Sequence, residues 1–97
     1  MRFEDRPLKT DRYLVRDLAD ELLLYDSDAE KVHVLNATMR EIYVRCDGRH
    51  SISDLARALV AEFEVDEATA RKDTFDVLER LVDLEIVRLD GGAAHSA

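Results

Sequence analysis

The chain lacks long hydrophobic runs and has few of the residues typical of secreted or fibrous proteins. Its 97 residues include one Cys, one Pro and three Gly. The longest uninterrupted apolar stretch, Leu22–Tyr25, is far shorter than a membrane span, so we expect no membrane insertion. No apolar stretch follows Met1 and Arg2, so we expect no signal peptide. A single cysteine cannot form an internal disulfide, which favours a cytoplasmic location.

An excess of basic residues is also missing. Fourteen basic and twenty-two acidic side chains give a formal net charge of −8. Phosphate backbones repel such a domain, so nucleic-acid binding is disfavoured. Apolar residues make up 46% of the chain and charged residues 37%, which is typical of a folded domain, and the length suffices for one domain only.

Recognisable catalytic and metal-binding patterns are absent. Cys46 and His50 are four positions apart, but Asp47–Gly48 between them would break a shared helix face. We therefore expect Cys46 to be a small buried hydrophobic residue. The histidines fall on separate elements without zinc-type spacing: His33, His50 and His95. Asp26–Glu30 lacks the downstream Gly and Glu of a calcium loop, which predicts a solvated acidic turn. The sequence thus predicts a protein that is not an enzyme, with no metal and no cofactor.

Three strands are predicted after an irregular start. Residues 1–11 show no periodicity, and we expect a mobile arm. Short segments rich in strand formers follow, with turn-length gaps: Tyr13–Arg16, Leu22–Tyr25 and Lys31–Leu35. This pattern predicts an antiparallel meander. In the third strand the apolar residues alternate, and we expect Val32 and Val34 to face the interior.

Three helices follow, each preceded by a residue suited to its N-cap: Asn36, Ser51 and Asp66. The first is predicted to end at Asp47–Gly48. The second carries an apolar stripe from Ile52 to Phe63, and the third continues to about Leu84. Residues 86–89 add a short extended piece, and residues 90–97 are expected to form a disordered tail.

The third helix has an unusually wide apolar arc. It covers about half of the circumference, more than the ~100° stripe that one core usually needs. One interpretation is a helix packed between two neighbours. The other is that one flank fills the core and the second lines a groove.

The order and spacing of several motifs resemble the PqqD-like family over about residues 12–89. These motifs are Val32–Asn36 leading into Ile42–Tyr43, the Asp47–Ile52 link, and Leu55 through Asp66 to Leu81. The resemblance implies an α+β fold similar to a winged helix-turn-helix, with a three-stranded antiparallel sheet followed by three helices. It also implies a recognition element for the leader segment of ribosomally made, post-translationally modified peptides (RiPPs). Members that stand alone act as peptide chaperones, which hand the precursor to a radical-SAM enzyme, a cyclase or a leader peptidase.

In this family the leader adds as a strand beside the third strand and packs against the third helix. The edge formed by Lys31–Leu35 has no proline and little charge, so it is competent for strand addition. The predicted peptide-binding residues are Lys31, Val32, His33, Val34 and Leu35 on the sheet edge, and Ala70, Thr74, Val77, Arg80, Leu81 and Leu84 on the last helix. Two alternatives stay open: a winged-helix DNA-binding regulator, and a homodimer in which the same edge pairs with a second copy.

Overall fold

A computed structural model describes residues 1–89. Residues 90–97, for which the sequence predicts a disordered tail, lie outside the described residues. The elements follow one another as β1 (Leu8–Lys9), β2 (Leu14–Asp17), β3 (Leu22–Asp26), β4 (Lys31–Leu35), α1 (Ala37–Tyr43), α2 (Ile52–Phe63), α3 (Glu67–Asp83) and β5 (Val87–Arg88). The predicted fold class is confirmed: a three-stranded antiparallel sheet precedes three helices, as in winged-helix domains.

The three main strands form an antiparallel sheet in the order β2-β3-β4. In β3, alternation buries Leu22 and Leu24 on one face of the sheet. These residues lie opposite Leu35 and His33 of β4. The meander is therefore pinned by a buried leucine face, as strand alternation requires.

The expected orientation of β4 is wrong. Val32 and Val34 are each 56% exposed, whereas Leu35 is only 1% exposed. The register explains the reversal, because Val34 lies opposite the half-buried Leu23 while Leu35 lies opposite the buried Leu22. The leucine face of β3 decides which side of β4 is internal.

All three predicted helix caps are present. The side chains of Asn36, Ser51 and Asp66 each accept a hydrogen bond from the backbone N–H three residues ahead. At α2 the Asp54 carboxylate also accepts from the N–H of Ser51, which completes a capping box. No helix within residues 1–89 is long and apolar enough to cross a membrane.

The first helix ends earlier than predicted. It stops at Tyr43 because tighter turns follow, in which the Cys46 N–H donates to the Tyr43 carbonyl at 3.0 Å. Gly48 adopts a φ of 78° some residues later, and its N–H donates to the Pro7 carbonyl at 2.9 Å. A Cβ at Gly48 would lie 3.3 Å from Leu8 Cδ1, so glycine is required here both for its φ and for the close approach of the chain.

The hydrophobic core lies between the leucine face of the sheet and the three helices. Its fully buried residues include Leu22, Leu24, Leu35, Ile42, Cys46, Ile52, Leu55, Ala70, Leu78, Leu81 and Ile86. Cys46 is 0% exposed, as predicted, and its thiol donates to the Ile42 carbonyl at 3.3 Å. Burial raises the pKa of this thiol to about 12, so it has little thiolate character.

Residues 1–11 pack against the domain, in contrast to the expected mobile arm. β1 pairs with β5, and Pro7 is buried. The Phe3 ring meets the Phe75 ring of α3 edge-on, with 4.5 Å between centroids. Five backbone hydrogen bonds also join the arm to the rest of the domain. The N–H groups of Ser53, Ile52 and Gly48 donate to the carbonyls of Phe3, Asp5 and Pro7, and the N–H groups of Lys9 and Thr10 donate to the carbonyls of Cys46 and Ile86. Sequence periodicity could not reveal this packing, because every contact is long-range.

Candidate functional site: the edge of β4 and the adjacent cleft

The outer edge of β4 has no backbone partner within residues 1–89. β4 pairs with β3 on one side only. The N-terminal arm forms its strand pairs elsewhere, with β5 and through a bridge between Leu8 and Asp47. The donors and acceptors along this edge are therefore free to bind an added strand.

A cleft of about 340 Å³ lies next to the end of β4. It is formed by the start of α1 and the middle of α3, and its lining residues are Asn36, Thr38, Met39, Asp73, Asp76, Val77 and Arg80. Asn36 has a fixed conformation, because its side-chain oxygen accepts from the Met39 N–H at 2.9 Å. The lining combines the apolar side chains of Met39 and Val77 with polar and charged side chains, which can fix the orientation of a ligand.

The helix α3 and the strand β4 run in opposite directions along this site. The Tyr13 hydroxyl donates to the carbonyl of Leu84, at the end of α3, at 2.6 Å. The same ring lies 5.7 Å from the ring of His33, in the middle of β4. The residues that follow β4 instead share the cleft with positions 73–80 of α3. Going from the middle of β4 to its end thus leads from the end of α3 back towards its middle.

The charged residues of the cleft differ in how they are paired. Asp76 forms an exposed ion pair with Lys72, whose ammonium lies 2.8 Å from its carboxylate. The hydrogen bond to Asp76 raises the pKa of Lys72, and the charge of Asp73 also helps to raise it. Asp73 is half-buried and Arg80 is exposed. Within residues 1–89 neither of these two side chains forms an ion pair. The cleft therefore presents one negative and one positive group that are open to a ligand.

The predicted helix residues divide between the core and the cleft. Val77 and Arg80 line the cleft. Ala70, Thr74 and Leu81 are each 0% exposed and belong to the core, so their expected place in the groove is corrected. Helical periodicity gives the reason: these three positions lie on one side, and the cleft residues lie on the adjacent side.

Thr74 and Leu84 of the predicted set both pack in or against the core. The Thr74 hydroxyl donates to the Ala70 carbonyl at 2.7 Å, so this polar group is satisfied inside the core. Leu84 is half-buried and packs against the core beyond the cleft lining. Sequence reasoning missed five other residues of the cleft: Asn36, Thr38, Met39, Asp73 and Asp76. The spacing of Asp73, Val77 and Arg80 at i, i+4 and i+7 was the available signal.

The five predicted residues of β4 differ in how exposed their side chains are. Val32 and Val34 are exposed on the outer face, His33 is half-buried, Leu35 is buried and Lys31 is exposed. Every second residue of β4 directs its N–H and carbonyl groups to the outer edge, whichever way the side chains point, and an added strand would bond to those residues. The structure thus keeps the edge available while changing which side chains flank it.

A partly buried ion pair holds the turn that precedes β4. Asp26 is 4% exposed and lies 3.0 Å from the Arg12 guanidinium. The sequence predicted a solvated acidic turn, and this prediction is wrong for Asp26. Burial alone would raise the pKa of Asp26. Hydrogen bonds from the Ala29 N–H and from Arg12 outweigh it, and the pKa is lowered. Arg12 also lies 3.0 Å from Glu85, which ties the sheet to the segment after α3.

A second cleft, of about 410 Å³, lies where the arm approaches β5. It is lined in part by Thr10, Val82 and Leu89. Within residues 1–89, none of its lining residues lies in or next to β4, so we assign the candidate site to the first cleft.

The fold and the site define a small winged-helix-like domain with an open strand edge beside a groove. The sequence profile of the family described as "Coenzyme PQQ synthesis protein D (PqqD)" matches residues 21–87. The chain therefore belongs to the PqqD family. A comparison with curated protein sequences gives no significant match.

Two solved structures share the fold. One is described as "TbiB1 in Complex with the TbiA(beta) Leader Peptide"; it is 20% identical, the match covers 93% of this chain and 99% of that chain, and the TM-score is 0.73. The other is described as "Lasso peptide synthetase B1 complexed with the leader peptide"; it is 23% identical, with 86% and 98% covered and a TM-score of 0.74. At these identities the likeness establishes the fold.

Proposed function

We propose that this protein is a non-catalytic module that captures the leader segment of a ribosomally made precursor peptide in RiPP biosynthesis. The observation that carries the proposal is the unpaired edge of β4 beside a cleft walled by α3. Family membership and two structural neighbours solved with leader peptides support the same interpretation. The leader would extend the sheet as a fourth strand, with side chains reaching into the cleft.

The expected affinity follows from the size of the edge. β4 has five residues, which allows about four or five added backbone hydrogen bonds at about 1 kcal/mol each. Two apolar anchors add roughly 1.5–3 kcal/mol each. Ordering a free peptide costs several kcal/mol, about 2–5. At the middle of these ranges about 5–6 kcal/mol remains, which corresponds to a Kd of roughly 100 μM. Such an affinity suits a protein that must release its cargo.

The partner that receives the peptide belongs to the same proposal. A module without its own chemistry must present the leader to a modifying enzyme, of the radical-SAM, cyclase or leader-peptidase kind. Because the precursor is made by the ribosome, and this protein has to bind it before export, we place this step in the cytoplasm.

The decisive experiment is titration of fluorescein-labelled leader peptides, taken from short reading frames beside the gene, against the full chain. The leader that binds is then synthesised with N-methyl groups on alternate residues, in two versions that differ by one position. In an added strand only every second N–H faces β4. We expect one version to lose at least tenfold in affinity and the other to bind as the parent does. Equal effects of both versions would refute strand addition.

A protein variant provides the matching test. Val34→Pro removes a backbone donor from β4, and circular dichroism shows whether the fold persists. If the folded variant binds the leader as wild type does, pairing at Val34 is not the mechanism. The two open alternatives give different results. Binding of duplex DNA that weakens strongly as salt rises would indicate a DNA-binding regulator. A dimer that sedimentation still shows after the leader is added would indicate a structural oligomer.

A further inference from the structure

The two unpaired charges of the cleft lie on the same side of α3. Asp73 and Arg80 are seven residues apart, which is close to two full turns and about 10.5 Å along the helix axis. Both side chains line the cleft, with Val77 between them. The third charged residue of the cleft, Asp76, is already paired with Lys72. A ligand in this cleft therefore meets a negative group and a positive group that are attached two helical turns apart.

The spacing matches an extended peptide. Side chains on one side of a strand repeat every second residue, at about 6.8 Å, so two or four residues span about 7 or 14 Å. These values bracket the helical separation, and the long side chain of Arg80 covers the difference. An extended segment can thus place one charged residue against Asp73 and an oppositely charged one against Arg80.

The direction of the peptide fixes the order of the two charges. All pairs in the main sheet are antiparallel, and antiparallel pairing is the more stable kind per residue. A peptide antiparallel to β4 runs in the same direction as α3, because β4 and α3 oppose each other at this site. Its N-terminal part then lies near Asp73 and its C-terminal part near Arg80.

We propose that the groove selects leaders in which a basic residue precedes an acidic residue by two or four positions, with the basic side chain at Asp73 and the acidic one at Arg80. This charge rule rests on the proposed capture of a leader and adds a polarity to it.

The test uses four fluorescein-labelled peptides of 14 residues, in which every second position is Val or Leu. Each carries one Lys and one Glu, two or four residues apart, in either order. Exposed ion pairs contribute little singly, but reversing the order replaces two attractions with two repulsions, so we expect about a tenfold difference in Kd at low salt. For at least one spacing the Lys-first peptide should bind more tightly, and the difference should shrink as salt rises.

Charge reversal in the protein provides the second arm. The variant Asp73→Lys with Arg80→Glu should invert the preference, so that the Glu-first peptide binds more tightly. Glu79→Lys is the matched control, because it makes the same acidic-to-basic change on an exposed position of α3 outside the cleft. The control should keep the wild-type order.

Each remaining outcome overturns the charge rule. Equal affinity for both orders, or an inversion by the control variant, refutes it while leaving leader capture intact. A wild-type preference for the Glu-first peptide refutes the assigned direction. Failure of all four peptides to bind also refutes the rule, and leader capture is then judged by the natural leaders alone.

Discussion

Removing the Phe3 side chain tests whether the N-terminal arm is packed. The ring lies 4.5 Å from Phe75, and the Arg71 guanidinium lies 5.0 Å from the ring centre. An aromatic pair contributes about 0.5–1.5 kcal/mol, and an exposed cation–π contact about 0.5–1 kcal/mol. Half-burial of the ring adds roughly 1 kcal/mol. We therefore expect Phe3→Ala to lower the free energy of unfolding by about 2 kcal/mol, a large part of the total for a domain of this size.

Urea unfolding followed by circular dichroism measures this change. With a slope of about 1–2 kcal/mol per M, the midpoint should fall by about 1–2 M while the slope stays constant. The control is Met1→Ala, which shortens another arm side chain that is 44% exposed. Its effect should stay within about 0.5 kcal/mol.

A double-mutant cycle identifies the contact itself. Phe75→Ala alone and combined with Phe3→Ala should reveal a coupling of about 0.5–1.5 kcal/mol between the two rings. If Phe3→Ala behaves like the Met1 control and the coupling is zero, the arm is free in solution. The expectation drawn from the sequence would then be right and the packing described above wrong.

Three further predictions concern single residues. Arg40 holds the pKa of Asp17 at about 2 through a hydrogen bond. This pairing stabilises the fold at pH values above the ordinary carboxyl pKa, and the stabilisation is lost as the pH falls from about 4 to 2. The melting temperature of Asp17→Asn should therefore decrease less over that interval than the melting temperature of the wild type. Cys46, with its pKa raised to about 12, should react with Ellman's reagent only after denaturation; fast reaction in native buffer would contradict its burial. Ser51→Ala removes the capping interaction with Asp54 and should cost about 1 kcal/mol in urea unfolding, whereas an unchanged midpoint would show the cap to be dispensable.

The sequence predicted best what depends on neighbours along the chain. The caps at Asn36, Ser51 and Asp66 involve residues three positions apart, so their side-chain types were sufficient. The strand Lys31–Leu35 was predicted with its observed limits because a polar turn precedes it and the helix N-cap Asn36 follows it. Such local preferences are visible without any knowledge of the tertiary fold.

The wrong predictions concern features that residues distant in the sequence determine. Alternation in β4 left two possible faces, and only the opposing Leu22 and Leu24 of β3 decide between them. The order of residues along α3 defined an apolar arc but not where the core ends, so Thr74 was assigned to the groove although it is buried. The open β4 edge was the part of the site that pattern alone could anticipate, since it follows from the meander and from the lack of proline.

The pairing of β1 with β5 has a consequence for how the domain is built up in time. Thr10 and Ile86, which bond beside these strands, are 76 positions apart. Closing so long a loop carries a large entropic cost that local helices and the meander do not bear. The first segment of the chain should thus dock last, after the helices have formed. Disrupting either β1 or β5 should therefore increase the unfolding rate far more than it decreases the refolding rate.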